Sequence, residues 1–261
     1  MEILQSGKHE VKIDQGELVS YTFSGKQLIH QKGKPGWKHA DTEMFPIIGP
    51  TEAVGYRVQV PRGNAVQDQH GLLRELEYEL LETSNSSAIY QKTYTAGSVV
   101  KNSKYPDKSR MQFLMWPYSF EFRKIFTLNT TGLAITFELK GEPDMPYMLG
   151  YHPAFNLQTA HPVVIADGKE IQLEDIIAAG SSALELADCD EVVLKDELSI
   201  SIKTSGFDNF MFWTEVPNML CIEPVTFYPY SAPVQLLHEG FHYLGRESKQ
   251  FRVEIIPREY D

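Results

Sequence analysis

The 261-residue sequence contains only two cysteines, Cys189 and Cys221. That is too few for a disulfide framework and fits a reducing compartment. No window reaches the 18 consecutive apolar residues of a bilayer-spanning helix. The opening residues, Met1-Glu2-Ile3-Leu4-Gln5-Ser6-Gly7, lack the basic stretch and apolar core of an export signal. Basic charge is scarce: 24 Lys and Arg stand against 35 Asp and Glu, for a formal net charge of −11 and a pI near 5.2. A surface of that sign repels nucleic acid and anionic lipid. No Lys/Arg-rich stripe interrupts it, and Lys101-Asn102-Ser103-Lys104 reads as a solvated loop. The chain is therefore expected to be soluble and cytoplasmic, with neither nucleic acid nor membrane as partner.

Phosphate-loop, Gly-x-Gly-x-x-Gly and Cys-x-x-Cys motifs are also missing. His238 and His242 would share one face of a helix, but the intervening Glu239-Gly240-Phe241 reads as a turn, so no metal pair is expected there. Cys221 lies in the apolar run Met219-Leu220-Cys221-Ile222, where it reads as a small buried hydrophobe. It lacks the electropositive surroundings that activate a thiolate.

What is present is aromatic and β-branched residues in short runs, such as Val19-Ser20-Tyr21-Thr22-Phe23, Phe120-Glu121-Phe122-Arg123-Lys124-Ile125-Phe126 and Leu198-Ser199-Ile200-Ser201-Ile202. Their period-2 alternation is that of strands with one buried face. Gly, Pro, Asn and Asp clusters separate them, as in Asn129-Thr130-Thr131-Gly132. The pattern predicts an all-β fold, a large antiparallel β-sandwich formed by residues 1–261 as a single domain. Leu72–Leu81 is rich in helix formers, yet Leu76, Tyr78 and Leu80 alternate with Glu75, Glu77 and Glu79, and a strand is expected there. Gln158–Glu197 is the least regular stretch and reads as an excursion of loops and short strands.

Three neighbourhoods carry candidate chemistry: Gln69-His70-Gly71; Gly150-Tyr151-His152-Pro153-Ala154-Phe155-Asn156; and Cys221-Ile222-Glu223-Pro224. Singly, each also reads as structure. His70 serves as well to satisfy a turn, Pro153 forces His152 towards extended geometry whatever its role, and Glu223 suits an edge salt bridge.

In this order, together with Met44-Phe45-Pro46-Ile47-Ile48-Gly49, Trp116-Pro117-Tyr118-Ser119-Phe120-Glu121 and Phe210-Met211-Phe212-Trp213, the segments resemble the aldose 1-epimerase (galactose mutarotase-like) family, in its shorter bacterial branch. The resemblance runs over nearly the whole chain and implies a galactose mutarotase-like supersandwich with an open cleft across one sheet. Carried over by position, it makes Glu223 the catalytic base, His152 the general acid, and His70 a second histidine that binds and polarises the sugar. The implied activity is interconversion of the α and β anomers of a free aldohexose. A non-catalytic carbohydrate-binding protein and a hexose-6-phosphate 1-epimerase are the alternatives, the latter drawing on Arg57 and Arg62.

That chemistry accounts for the residue types. A pyranose opens when the C1 hydroxyl loses a proton and the ring oxygen gains one, so a base and an acid are expected on opposite sides of the anomeric centre, exchanging roles on reclosure. Imidazole donates or accepts at neutral pH, and a partly desolvated carboxylate becomes a stronger base. No cofactor or metal is called for. Trp213, Tyr151 and Phe155 are candidate stacking faces for a sugar ring, and Gln69 and Asn156 are further substrate-binding candidates within the motifs. The branch usually carries an arginine where this chain has Pro50; Arg74 and Arg57 are the candidate replacements. Asp208 and Asp167 are candidates for a hydroxyl-binding aspartate. The partner is a small-molecule sugar, and the chain is expected to be a monomer or weak homodimer.

Overall fold

A computed structural model describes residues 1–39 and 41–260. Two antiparallel sheets dominate it. The larger has nine strands in the spatial order Lys169–Gln172, Val163–Ala166, Glu191–Lys195, Ser199–Ser205, Lys249–Arg258, Leu133–Gly141, Phe120–Leu128, Ser87–Tyr94, Glu79–Thr83. The second runs Leu184–Ala187, Asn209–Trp213, Met219–Val225, Gly150–Tyr151, Glu43–Met44, and Ala154–Asn156 also pairs with Met219–Val225. Glu2–Ser6, His9–Asp14, Glu17–Phe23 and Lys26–Gln27 form a separate four-stranded meander. The all-β sandwich expected from alternation is the fold observed.

Period-2 patterning builds the core. In Phe120–Leu128 the side chains of Phe120, Phe122, Lys124, Phe126 and Leu128 point inward and are buried. In Leu133–Gly141, Leu133, Ile135, Phe137 and Leu139 do the same. Tyr151, Phe155, Phe210, Phe212 and Ile222 meet them from the second sheet, and the rings of Phe137 and Tyr151 lie 5.1 Å apart. Each fully buried Phe or Leu contributes about 1.5–3 kcal/mol by leaving water.

Two expectations change. The strand predicted over 72–81 is a 3₁₀ turn at Leu73–Glu75 followed by a strand only from Glu79 to Thr83. Gly71 sets this: its φ is +70° and a Cβ there would lie 2.0 Å from the Phe45 carbonyl oxygen. The chain turns tightly and sends both Leu72 and Leu73 into the core, breaking the alternation. The Gln158–Glu197 stretch, expected as loops and short strands, supplies three strands to the large sheet and one to the second, but also the helix Leu173–Ala179, which was not expected. Its strands have four or five residues and are joined by turns such as Asp167-Gly168, both at positive φ.

Candidate functional site

His152, between the short strands Gly150–Tyr151 and Ala154–Asn156, faces Glu223 on the strand Met219–Val225 with which both pair. Met219–Val225 pairs Val225 with Gly150 and Cys221 with Ala154, so position 223 falls opposite position 152. The His152 Nε2 lies 3.4 Å from Glu223 Oε1, and the two residues are only 5% and 3% exposed. Burial holds the Glu223 carboxyl well above its usual range and pushes the His152 imidazole down to about 3. Both shifts favour the uncharged form, so the pair rests as a carboxylic acid beside a neutral imidazole. Acid and base thus stand side by side on one sheet face.

His70 joins them from the Gly71 turn, its ring centroid 5.6 Å from that of His152. The segment from Thr42 to Phe45 ties both histidines down. Thr42 exchanges backbone hydrogen bonds with His152, at 2.8 and 3.3 Å, while Phe45 N–H donates to the His70 carbonyl at 3.1 Å. Arg74 Nη1 donates to His70 Nδ1 at 3.1 Å. Arginine has no acceptor, so Nδ1 must accept and the ring proton must sit on Nε2. Burial, then the neighbouring His152 and Arg74, hold His70 well below the usual imidazole range. His70 is therefore a neutral Nε2–H donor. Asp68 steadies this corner: it accepts from Lys104 Nζ at 2.8 Å and Asn102 Nδ2 at 3.0 Å, and lies 4.0 Å from Arg74 Nη2.

Trp37 covers the pair. Its indole stacks on the His152 imidazole with centroids 4.5 Å apart and planes inclined by 29°, and it lies 5.8 Å from Trp213. The indole comes from the loop Gln31-Lys32-Gly33-Lys34-Pro35-Gly36. Here Gly36, at φ +89°, packs so closely on Val216 that a Cβ would meet it at 2.5 Å. Trp37 Nε1 is buried without a hydrogen-bond partner. Beyond Trp37 opens a cleft of about 1170 Å³, whose wall includes Trp37, His39, Gln69, His70, Arg74 and Trp213.

The cleft also reaches a buried ion cluster between the sheets. Lys124 Nζ lies 2.6 Å from both Asp41 Oδ2 and Glu43 Oε1, and Tyr151 OH donates to Asp41 Oδ2 at 2.8 Å. Burial raises the Asp41 carboxyl. It acts on Glu43 too, but there Lys124 and Lys92 outweigh it and hold the carboxyl below its usual range. Lys92 donates to the Leu73 carbonyl at 2.9 Å and lies 4.0 Å from the Tyr78 ring centroid. Burial lowers its ammonium to about 8.

The structure thus brings together His70, His152, Glu223, Arg74, Gln69 and Trp213. Tyr151 does not join them, because alternation sends its ring to the other sheet face, onto Asp41 and Phe137. Phe155 is likewise in the core. Asn156 pairs with Met219 and donates its backbone N–H to Leu28, away from the cleft. Asp167 occupies a turn, and Asp208 lies 3.4 Å from His242. Arg62 pairs with Glu142 and stacks on Tyr118, and Arg57 is exposed on the short Arg57–Val60 strand. Neither arginine belongs to the cleft wall. The 101–104 segment is no solvated loop, since Asn102 is fully buried and Lys104 reaches Asp68. Residues 234–240 form a 3₁₀ helix where a turn between strands was expected.

Sequence reasoning missed Trp37, Lys92 and Lys124. The lysines carried a signal, each at an inward position between aromatic neighbours: Tyr90, Lys92, Tyr94 and Phe122, Lys124, Phe126. Trp37 stood out as a large aromatic in a Gly/Pro-rich loop, the setting in which functional residues concentrate.

The family model of aldose 1-epimerases matches residues 16–208, a span that includes His70 and His152 and ends before Glu223. The LacX proteins of Lactococcus lactis subsp. lactis, plasmid and chromosomal, are each 30% identical over 155 residues, covering 53% of this chain and 47% of theirs. The matches therefore span about half the length of these curated relatives. Among solved structures, a galactose mutarotase-like protein from Lactobacillus casei superposes with a TM-score of 0.81 at 17% identity, over 99% of this chain and 100% of that one. A putative aldose 1-epimerase from Escherichia coli K12 gives 0.74 at 14% identity, over 99% and 98%. At such identities the likeness is one of fold.

Proposed function

The chain belongs to the aldose 1-epimerase family, and from that premise we propose that it interconverts the α and β anomers of a free aldohexose, with Glu223 and His152 moving the ring-opening protons and His70 holding the sugar. The observation that carries this reading is the pairing of His152 with Glu223 at 3.4 Å, with the His70 ring 5.6 Å from that of His152. The two oxygens on an anomeric carbon are themselves close neighbours, so an adjacent acid and base address both at once.

Ring opening needs one proton in the pair. Under Trp37, burial places it on Glu223. When the indole moves aside and sugar hydroxyls replace it, the polar surroundings favour the ionic form, a carboxylate beside an imidazolium. Glu223 then takes the O1 proton while His152 gives one to the ring oxygen. C1 becomes a planar aldehyde, rotates, and recloses as each group returns a proton in the opposite sense. The pair ends with the one proton it began with. His70 donates through Nε2–H to a sugar oxygen. Arg74, on the cleft wall, takes the hydroxyl contact that Pro50 cannot make.

A phosphorylated aldose is a second reading, favoured by Lys34, Lys38 and Lys108 around the same cleft. Polarimetry of freshly dissolved α-D-glucose, α-D-galactose and their 6-phosphates tests both. Acceleration is expected, reduced by ~10²–10⁴ in Glu223→Gln as a positioned proton-transfer group is lost, with sugar affinity kept within a few fold. Sugar binding without acceleration of any of the four would replace this reading with a carbohydrate-binding protein.

A further inference from the structure

We infer that the strand face beneath Trp37 is also a binding site for one thiophilic divalent metal ion, Zn²⁺ or a close analogue, held by His152, Cys221 and Glu223. Ion binding stands on geometry alone. Its consequence, arrest of the epimerase, rests on the function proposed above.

Cys221 and Glu223 are two residues apart on one strand and so point to the same face. The register that sets Glu223 opposite His152 sets Cys221 opposite Ala154. One nitrogen, one sulfur and one carboxylate oxygen therefore converge, all within 4.8 Å of one another and all buried. Zinc bonds of about 2.0–2.3 Å in a tetrahedron hold ligand atoms roughly 3.5 Å apart. The His152–Glu223 separation of 3.4 Å already meets that spacing, and a shift of about 1 Å by the thiol completes it.

The surroundings favour an ion of this class. Cys221 packs among Ala154, Met219, Trp37, Trp213 and Val216. A dication supplies the positive charge that a buried thiolate and carboxylate lack. Mixed N, S and O donors suit Zn²⁺, Co²⁺ or Cd²⁺ and not Mg²⁺ or Ca²⁺, which take oxygen ligands. An ion here occupies the lone pairs of Glu223 and His152 on which proton transfer depends, so it would switch the epimerase off.

Titrating the full chain with Co²⁺ in a thiol-free reducing buffer tests this. One equivalent is expected to produce near-ultraviolet thiolate-to-cobalt absorption, displaced by Zn²⁺. The band should persist in Cys189→Ser and disappear in Cys221→Ser, with at least a tenfold loss of Co²⁺ affinity in the latter. Wild-type protein, folded by circular dichroism, that gives no band would overturn the site, as would a band that survives Cys221→Ser. In polarimetry, one equivalent of Zn²⁺ should abolish wild-type acceleration, and Cys221→Ser should tolerate at least tenfold more. An unchanged rate at full occupancy would reject the switch. A cobalt band in protein that accelerates no sugar would keep the metal site and reject the epimerase reading.

Discussion

Arg74 Nη1 donates to Nδ1 of His70 at 3.1 Å across one turn of chain, and this single bond decides which nitrogen of His70 faces the cleft with a proton. The spacing of four between the two residues, closed by the 3₁₀ turn Leu73–Glu75, makes the tautomer a property of local backbone geometry.

Replacing Arg74 by Gln releases that constraint. The guanidinium is one of the charges that hold His70 below the ordinary imidazole range, so its loss moves the His70 pKa upward. The acid limb of the pH–rate profile should shift to higher pH. The turnover number should fall by on the order of tenfold, less than the ~10²–10³ lost when a direct oxyanion donor is removed. Mutarotation rates between pH 5 and 8 read both effects.

Trp37→Ala uncovers the His152 ring. Reaction of His152 with diethyl pyrocarbonate, located by peptide mapping, should accelerate on the order of tenfold, the equivalent of a ring–ring contact of about 1.5 kcal/mol. With burial relieved, the His152 pKa should rise from about 3 towards the ordinary imidazole value, measurable from its ring proton resonances. An unchanged reaction rate would show that the indole is no barrier.

Lys92 predicts a stability slope on the alkaline side. Its ammonium loses a proton near pH 8 in the fold and near 10.5 in the unfolded chain. Between those values the unfolded state binds more protons, so this group's contribution to stability rises with pH; below pH 8 both states are protonated and the contribution is flat. Lys92→Met removes that slope. The wild-type stability relative to the variant should therefore climb between pH 8 and 10.5, by at most roughly 1 kcal/mol per pH unit, in urea unfolding at fixed ionic strength.

What the sequence determined by itself was set by local repetition. Alternation in stretches such as Phe120–Phe126 is a backbone period, and it yielded the antiparallel sandwich without any knowledge of partners. The short segments around His70, His152 and Glu223 marked the chemistry, because proton transfer restricts residue type. Alternation also held a sharper message: a lysine at position 124, on a face otherwise apolar, calls for a buried anion opposite it. The identity of that anion depended on tertiary structure, since Asp41 and Glu43 lie 83 and 81 positions before Lys124. The same holds for the state of the proton-transfer pair. Glu223 and His152 are adjacent only through strand register, and their neutral forms follow from burial beneath Trp37, 115 residues before His152. Desolvation is a sum over everything that surrounds a group, so only the assembled fold decides which of the two holds the proton.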